Sequence, residues 1–189
     1  MKCFRFVFCV FALSFFSACQ EYSPKPEGYF RIDLPTQSYG AEMQFKNFQF
    51  DLSNQAETKI KEENKSEILF NIAYDRLNAD IFCSYIPLKS KNLAQLSEEC
   101  RKFVYLHVLK ADAIEESFYE NSDKKVYALV YKIKGNVASP TQFVLTDSVN
   151  SFLRGALYFN NAPNQDSIAP VLEYLDEDIQ ILIESFQWK

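Results

Sequence analysis

SPTQFVLTDSVNSFLRGALYF, residues 139–159, decides the fold, because two strand-like apolar runs flank one concentrated set of short polar side chains. The runs are residues 142–145 and 152–159. Between them Thr146, Asp147, Ser148, Asn150 and Ser151 carry the hydrogen-bonding groups that favour a strand-to-strand turn. The pattern predicts a hairpin. With a period of two, Phe152, Arg154, Ala156 and Tyr158 share one face of the second strand, and Leu153, Gly155, Leu157 and Phe159 share the other. Arg154 breaks the apolar pattern. A guanidinium there must reach solvent or an acceptor, since leaving it buried and unpaired costs about 3–5 kcal/mol. Asp147 in the preceding turn is the nearest candidate partner.

Working outward, residues 113–119 and 126–134 have strand character and are joined across Asn121, Ser122 and Asp123; Gly135 and Asn136 mark the turn that follows. Residues 69–74 and 80–86 predict another hairpin. Residues 43–52 read as a β-rich run with one register break, as in an edge strand with a bulge. Residues 55–66 are so highly charged that a solvated loop is expected. Residues 28–34 form an extended segment that lies against the core or touches a partner.

From Asn92 the period changes. Leu93, Leu96, Cys100, Phe103 and His107 recur at spacings of three and four, opposite Glu98, Glu99, Arg101 and Lys102, which predicts an amphipathic helix. His107, the single histidine, falls on its apolar face. A second stripe runs through positions 168, 171, 172, 175, 179, 182, 183 and 186. Pro170 is tolerable only in a first turn, so this helix should begin within residues 166–169, capped by Asp166 or Ser167. Glu173, Asp176, Glu177 and Asp178 are expected to face water, and Trp188 to fold back on the core. The order is strands, helix, four strands, helix. It predicts an α+β fold, a mostly antiparallel sheet covered by two helices, with the element order of Mog1- and PsbP-like sandwiches.

The first residues carry an address. Lys2 and Arg5 precede the apolar run 6–16, which ends in Phe16-Ser17-Ala18-Cys19. The run is shorter than the roughly 20 apolar residues of a spanning helix. A bulky Phe16 before small residues and a cysteine fits a lipoprotein signal rather than an ordinary cleavage box. This divides the chain into a signal peptide, 1–18, a lipidated tether, 19–27, and one domain, 28–189, with Cys19 as the lipid attachment site. Without residues 1–18, which carry two basic residues and no acid, the formal charge falls from −5 to −7. An acidic chain with no basic run offers nucleic acid no electrostatic footing.

A catalytic or metal constellation is missing. Ser148 or Ser139 with His107 and Asp147 lacks the flanking glycines of a nucleophile elbow. Asn160, Asn161, Asn164 and Asp166 lack the glycine and distal Glu of a calcium loop. No cofactor, metal or small-molecule substrate is indicated, and the four glycines cannot build a phosphate-cradling loop. Once the signal and anchor cysteines are set aside, Cys83 and Cys100 remain. They suit a disulfide or two buried thiols equally, and sequence does not choose between them. Binding is the class left standing.

Five segments carry a resemblance: PKPEGYFRIDLP (24–35), HVLKADAI (107–114), GNVASPTQFVLTDS (135–148), FLRGALYFNNAPNQDSIAPV (152–171) and IESFQWK (183–189). Together they resemble the gliding motility lipoprotein GldD family of Bacteroidetes-type bacteria, over almost all of the mature chain and least over residues 55–66. The resemblance implies a non-catalytic envelope lipoprotein required for gliding and for the associated type IX protein secretion machinery. Its implied partners are other gliding and secretion lipoproteins. The expected location is the outer membrane, facing the periplasm; the alternative is a periplasm-facing lipoprotein with an unrelated envelope ligand or partner. Asn136, Asp147, Arg154, Asn160 and Asn164 punctuate successive strand ends where the resemblance is densest, so they are expected to form one polar patch that meets the partner.

Overall fold

Short turns close most strands of this chain on their neighbours, and every strand pairing is antiparallel. The computed structural model describes residues 32–63, 67–88, 92–106, 108–161 and 164–189. The expected signal peptide, Cys19, the tether and His107 lie outside the described residues. Strands β1 (Tyr39–Gln44) and β2 (Phe48–Ser53) form a hairpin. Strands β3 (Glu57–Glu63), β4 (Ile68–Tyr74) and β5 (Ala79–Pro87) form a meander. Helix α1 (Leu93–Tyr105) then carries the chain across to the far edge. From there β6 (Ala111–Asn121), β7 (Val126–Gly135), β8 (Thr141–Thr146) and β9 (Ser151–Phe159) meander back until β9 meets β5. The result is a seven-stranded sheet of order β3-β4-β5-β9-β8-β7-β6. Helix α2 (Gln165–Ser185) and a short β10 (Gln187–Trp188) follow, with β10 added to the hairpin as a three-stranded sheet β1-β2-β10.

The strand 151–159 has the expected faces. Leu153 and Leu157 enter the main core, under α2 and the three-stranded sheet, beside Phe70, Ile81, Phe143 and Leu175. Phe152 turns to the opposite face and packs with Leu96 and Cys100 of α1. Gly155 belongs to the first face, and its lack of a side chain has a cause: a Cβ there would lie 2.1 Å from the buried Phe143 ring. Phe45, Phe48, Phe50, Phe70 and Phe186 form an aromatic block with ring centroids 4.6–6.4 Å apart. Trp188 closes it edge-on against Phe186 at 4.6 Å, folding back as its position predicts. Each such ring contributes about 1.5–3 kcal/mol by leaving water.

Several expectations need correction. Residues 43–52 are two strands and not one bulged edge strand; the register break is a chain reversal closed by Phe45 N–H donating to the Phe48 carbonyl. The charged stretch 55–66 contributes strand β3 and not only a loop. As an edge strand it shows Lys and Glu to water, which blunts edge-to-edge pairing, and Lys59 reaches Asp75 at 3.1 Å. In α1 the buried line is Leu96, Cys100 and Val104, while Phe103 stays 47 % exposed. Helix α2 begins one residue earlier than expected, with Asn164 as its cap. Asp178 does not face water: it is 4 % exposed and accepts from the Tyr39 hydroxyl and the Gln37 amide. The signal was present, since Asp178 stands three residues after Leu175 and four before Leu182 on the buried stripe.

Candidate functional site

The five polar residues expected to form one patch are divided among three places. Asp147 stands in the turn that starts β9, and its carboxylate accepts from three successive backbone N–H groups, Val149, Asn150 and Ser151, at 2.7–2.9 Å. Thr146 completes the turn by donating to the Ser151 carbonyl, and Ser148 takes the left-handed conformation at φ 67°. Asn160 stands at the other end of the strand, about 25–30 Å away at the usual rise per residue. There its backbone N–H donates to the Asn78 carbonyl and its amide to Asp80. Asn136 accepts from the Gln165 N–H and Asn164 from the Ser167 N–H, so both serve the N-terminus of α2. These three Asn gather at one end of the sheet, opposite the Asp147 turn.

Arg154 is at neither end. It projects mid-strand from the α1 face, donates to Gln142 Oε1 at 3.0 Å and packs its guanidinium over the Phe103 ring at 4.6 Å. The expected pair with Asp147 is therefore not formed. The turn amides claim that carboxylate, and the period of the strand carries Arg154 away from it.

Cys83 and Cys100 are free buried thiols on opposite sides of the sheet, Cys83 in the main core and Cys100 under α1. The sheet between them rules out a bridge. Burial raises both thiols: that of Cys100 is pushed up to about 11, with Arg154 pulling it part of the way back, and that of Cys83 is raised further by burial alone. Neither is a poised nucleophile. Ser139 is fully buried in the loop before β8, far from the Asp147 turn, so these two do not assemble a hydrolytic pair. Among the described residues no three His, Cys, Asp or Glu gather as a metal site. No described helix is long and apolar enough to cross a membrane.

Two clefts of about 270 Å³ flank the seven-stranded sheet. The first lies between α2 and strands β6 and β7. Of its charged groups, Asp176 takes Lys132 at 2.9 Å and the Thr141 hydroxyl at 2.7 Å, and Glu184 takes the Gln180 amide. The second lies on the opposite face, beside α1, where Arg154 and Lys61 meet Leu69, Asn71, Phe82 and Ser84. Among the described residues no carboxylate pairs with either cation. Nothing in the periodicity marked this cleft, because it is assembled from β3, β4, β5 and β9. The one sequence signal was the charge of Arg154 within an apolar strand.

The family described as gliding motility lipoprotein GldD matches residues 19–188, and no curated protein matches the chain. A match over nearly the whole sequence makes the chain a member of that family, and membership implies a lipid-anchored protein of the cell envelope.

Proposed function

We infer, from this family membership and from the motif at residues 16–19, that the protein serves gliding motility and the type IX protein secretion machinery through protein–protein contacts and without catalysis. The observation that carries this reading is the extent of the family match, which begins at the one cysteine placed for lipidation, Cys19. Residues 1–18 are the removed signal, residues 19–27 the lipidated tether, and residues 28–189 the working domain. The acyl chains hold it in the outer membrane facing the periplasm, beside the other gliding and secretion lipoproteins that are its partners. A helix on each side of one antiparallel sheet supports placing the fold with Mog1- and PsbP-like sandwiches.

Deleting the protein and restoring either the native chain or Cys19→Ala tests this. Deletion is expected to abolish both colony spreading and export of type IX cargo into the medium. The native chain should restore both, and should co-purify with other gliding lipoproteins from solubilised membranes. Cys19→Ala should leave the membrane fraction and lose the mass of the lipid. Normal cargo export in the deletion strain overturns the secretion role, and a membrane-bound Cys19→Ala protein of unchanged mass overturns the anchor.

A further inference from the structure

On the α1 face the strand registers align side chains in rows. One row runs Leu69, Ser84, Arg154, Val144 across β4, β5, β9 and β8. Helix α1 covers the far end of it, packing Leu96 and Cys100 toward Val144 and Phe152. The near end is uncovered, and Arg154 marks the boundary with Phe103 stacked above it. The open end is the second cleft, and Phe82 on its floor is 46 % exposed.

Hydrogen-bond donors outnumber acceptors there. A guanidinium has five N–H donors, and among the described residues one is satisfied, on Gln142. Gln142, buried behind the cleft and not part of its lining, gives its carbonyl oxygen to Arg154. Lys61 is the unpaired residue of a bulge in β3, between Ile60, opposite Phe70, and Glu62, opposite Leu69, and it lines the same cleft. A half-buried Arg without a counter-charge is costly in isolation. This chain has 25 acidic residues, and Asp176 and Asp178 on the other face are both engaged. Among the described residues the cations of the cleft therefore have no counter-charge, whereas on the other face the charge without one is a carboxylate, Asp178, reached by neutral donors. One half-buried cation with a second at the rim suits a single planar negative charge, which a guanidinium holds with two parallel bonds. Leu69 and Phe82 supply the apolar wall beside it.

We propose that this cleft binds a carboxylate carried on a short apolar body, with the charge held by Arg154 and Lys61 and the apolar part against Leu69 and Phe82. The inference goes beyond the secretion role and does not rest on it. Such a carboxylate can belong to a free organic acid or to an acidic side chain in an apolar peptide segment. Calorimetric titration of the full lipoprotein in detergent distinguishes these, with hexanoate and the peptide acetyl-Ala-Leu-Glu-Leu-Ala-amide as probes. Hexanamide and the corresponding Gln peptide are the neutral controls.

Saturable binding of either carboxylate probe is expected, weakened by salt, with no binding of its neutral control. Binding of hexanoate alone assigns a free acid; binding of the peptide, with or without hexanoate, assigns a protein segment. Arg154→Gln should weaken the binding at least tenfold. Because Arg154 also packs against Phe103, Lys61→Gln on the exposed edge strand provides a second variant that leaves the core untouched, and a severalfold loss is expected. The proposal is overturned if neither carboxylate probe binds, if the neutral controls bind equally well, or if a folded Arg154→Gln protein and Lys61→Gln both bind like the native chain.

Discussion

The two faces of the seven-stranded sheet differ in closure. One receives the 21-residue α2 together with the three-stranded sheet, and its aromatic block, Phe48 above all, is sealed from water. The other receives the 13-residue α1, which covers β7 to β9 and leaves the β4 and β5 side open. Their charged groups differ in sign. On the closed face Asp176 is answered by Lys132 and Thr141, and buried Asp178 takes two neutral donors, Tyr39 and Gln37, on one oxygen and leaves the other without a partner. On the open face Arg154 meets, among the described residues, one amide and one ring. The difference teaches that the closed face of these strands serves stability, while the open face keeps an uncovered cleft, the site of the binding proposed above. A side chain's face, set by a period of two, decides which of them it serves.

Substitutions on the closed face should therefore be felt as stability. Phe48→Ala, at the centre of the aromatic block, should cost about 3–5 kcal/mol by urea unfolding; a loss below about 1 kcal/mol would mean that the block is not the core. Alkaline pH comes next. Burial makes Cys83, Cys100, Tyr39 and Tyr74 hold their protons more tightly when folded. Their contribution is thus fully present below the ordinary thiol value of 9.0 and lost as pH rises, for Cys100 through about 11. Cys100 alone should contribute a loss of about 2 kcal/mol over that window. Urea midpoints that stay level from pH 7 to 11 would contradict burial of these groups.

Gly155→Ala should cost about 1–3 kcal/mol, because the new methyl meets the Phe143 ring from inside a filled core. A variant as stable as the native chain would show that Phe143 has room to move. The open face should respond least. Phe82→Ser is expected to cost about 1 kcal/mol, the loss of a half-exposed ring and its edge-on contact with Tyr158, well below the cost at Phe48. A large drop there would erase the contrast between the faces.

The hairpin at residues 139–159 was legible because its signals are local: alternation, a cluster of turn residues, and a turn of known chemistry. The same holds for both helices, whose stripes locate them to within a residue or two. The errors cluster where local signals admit two outcomes. Charges made residues 55–66 look like a loop, yet an edge strand tolerates charge on both faces as readily as a loop does. Asp178 looked solvated by type, although its position lay on the buried stripe. Arg154 stands out by its charge within an apolar strand but does not pair with Asp147, since a turn aspartate near in sequence is bound first by the turn's own amides.

The sequence by itself located both helices and the strands within residues 68–159, though neither β3 nor the reversal within 43–52, and it determined that residues 1–19 read as a lipoprotein signal. Each of these depends on neighbours within a few positions. Only the tertiary structure decided that β9 pairs with β5, that each helix takes a different face, and that Lys61, Leu69, Phe82 and Arg154 meet in one cleft. Those outcomes depend on burying two apolar faces of one sheet at once. The pairing of β5 with β9 joins residues about 70 positions apart, and no local period carries that information.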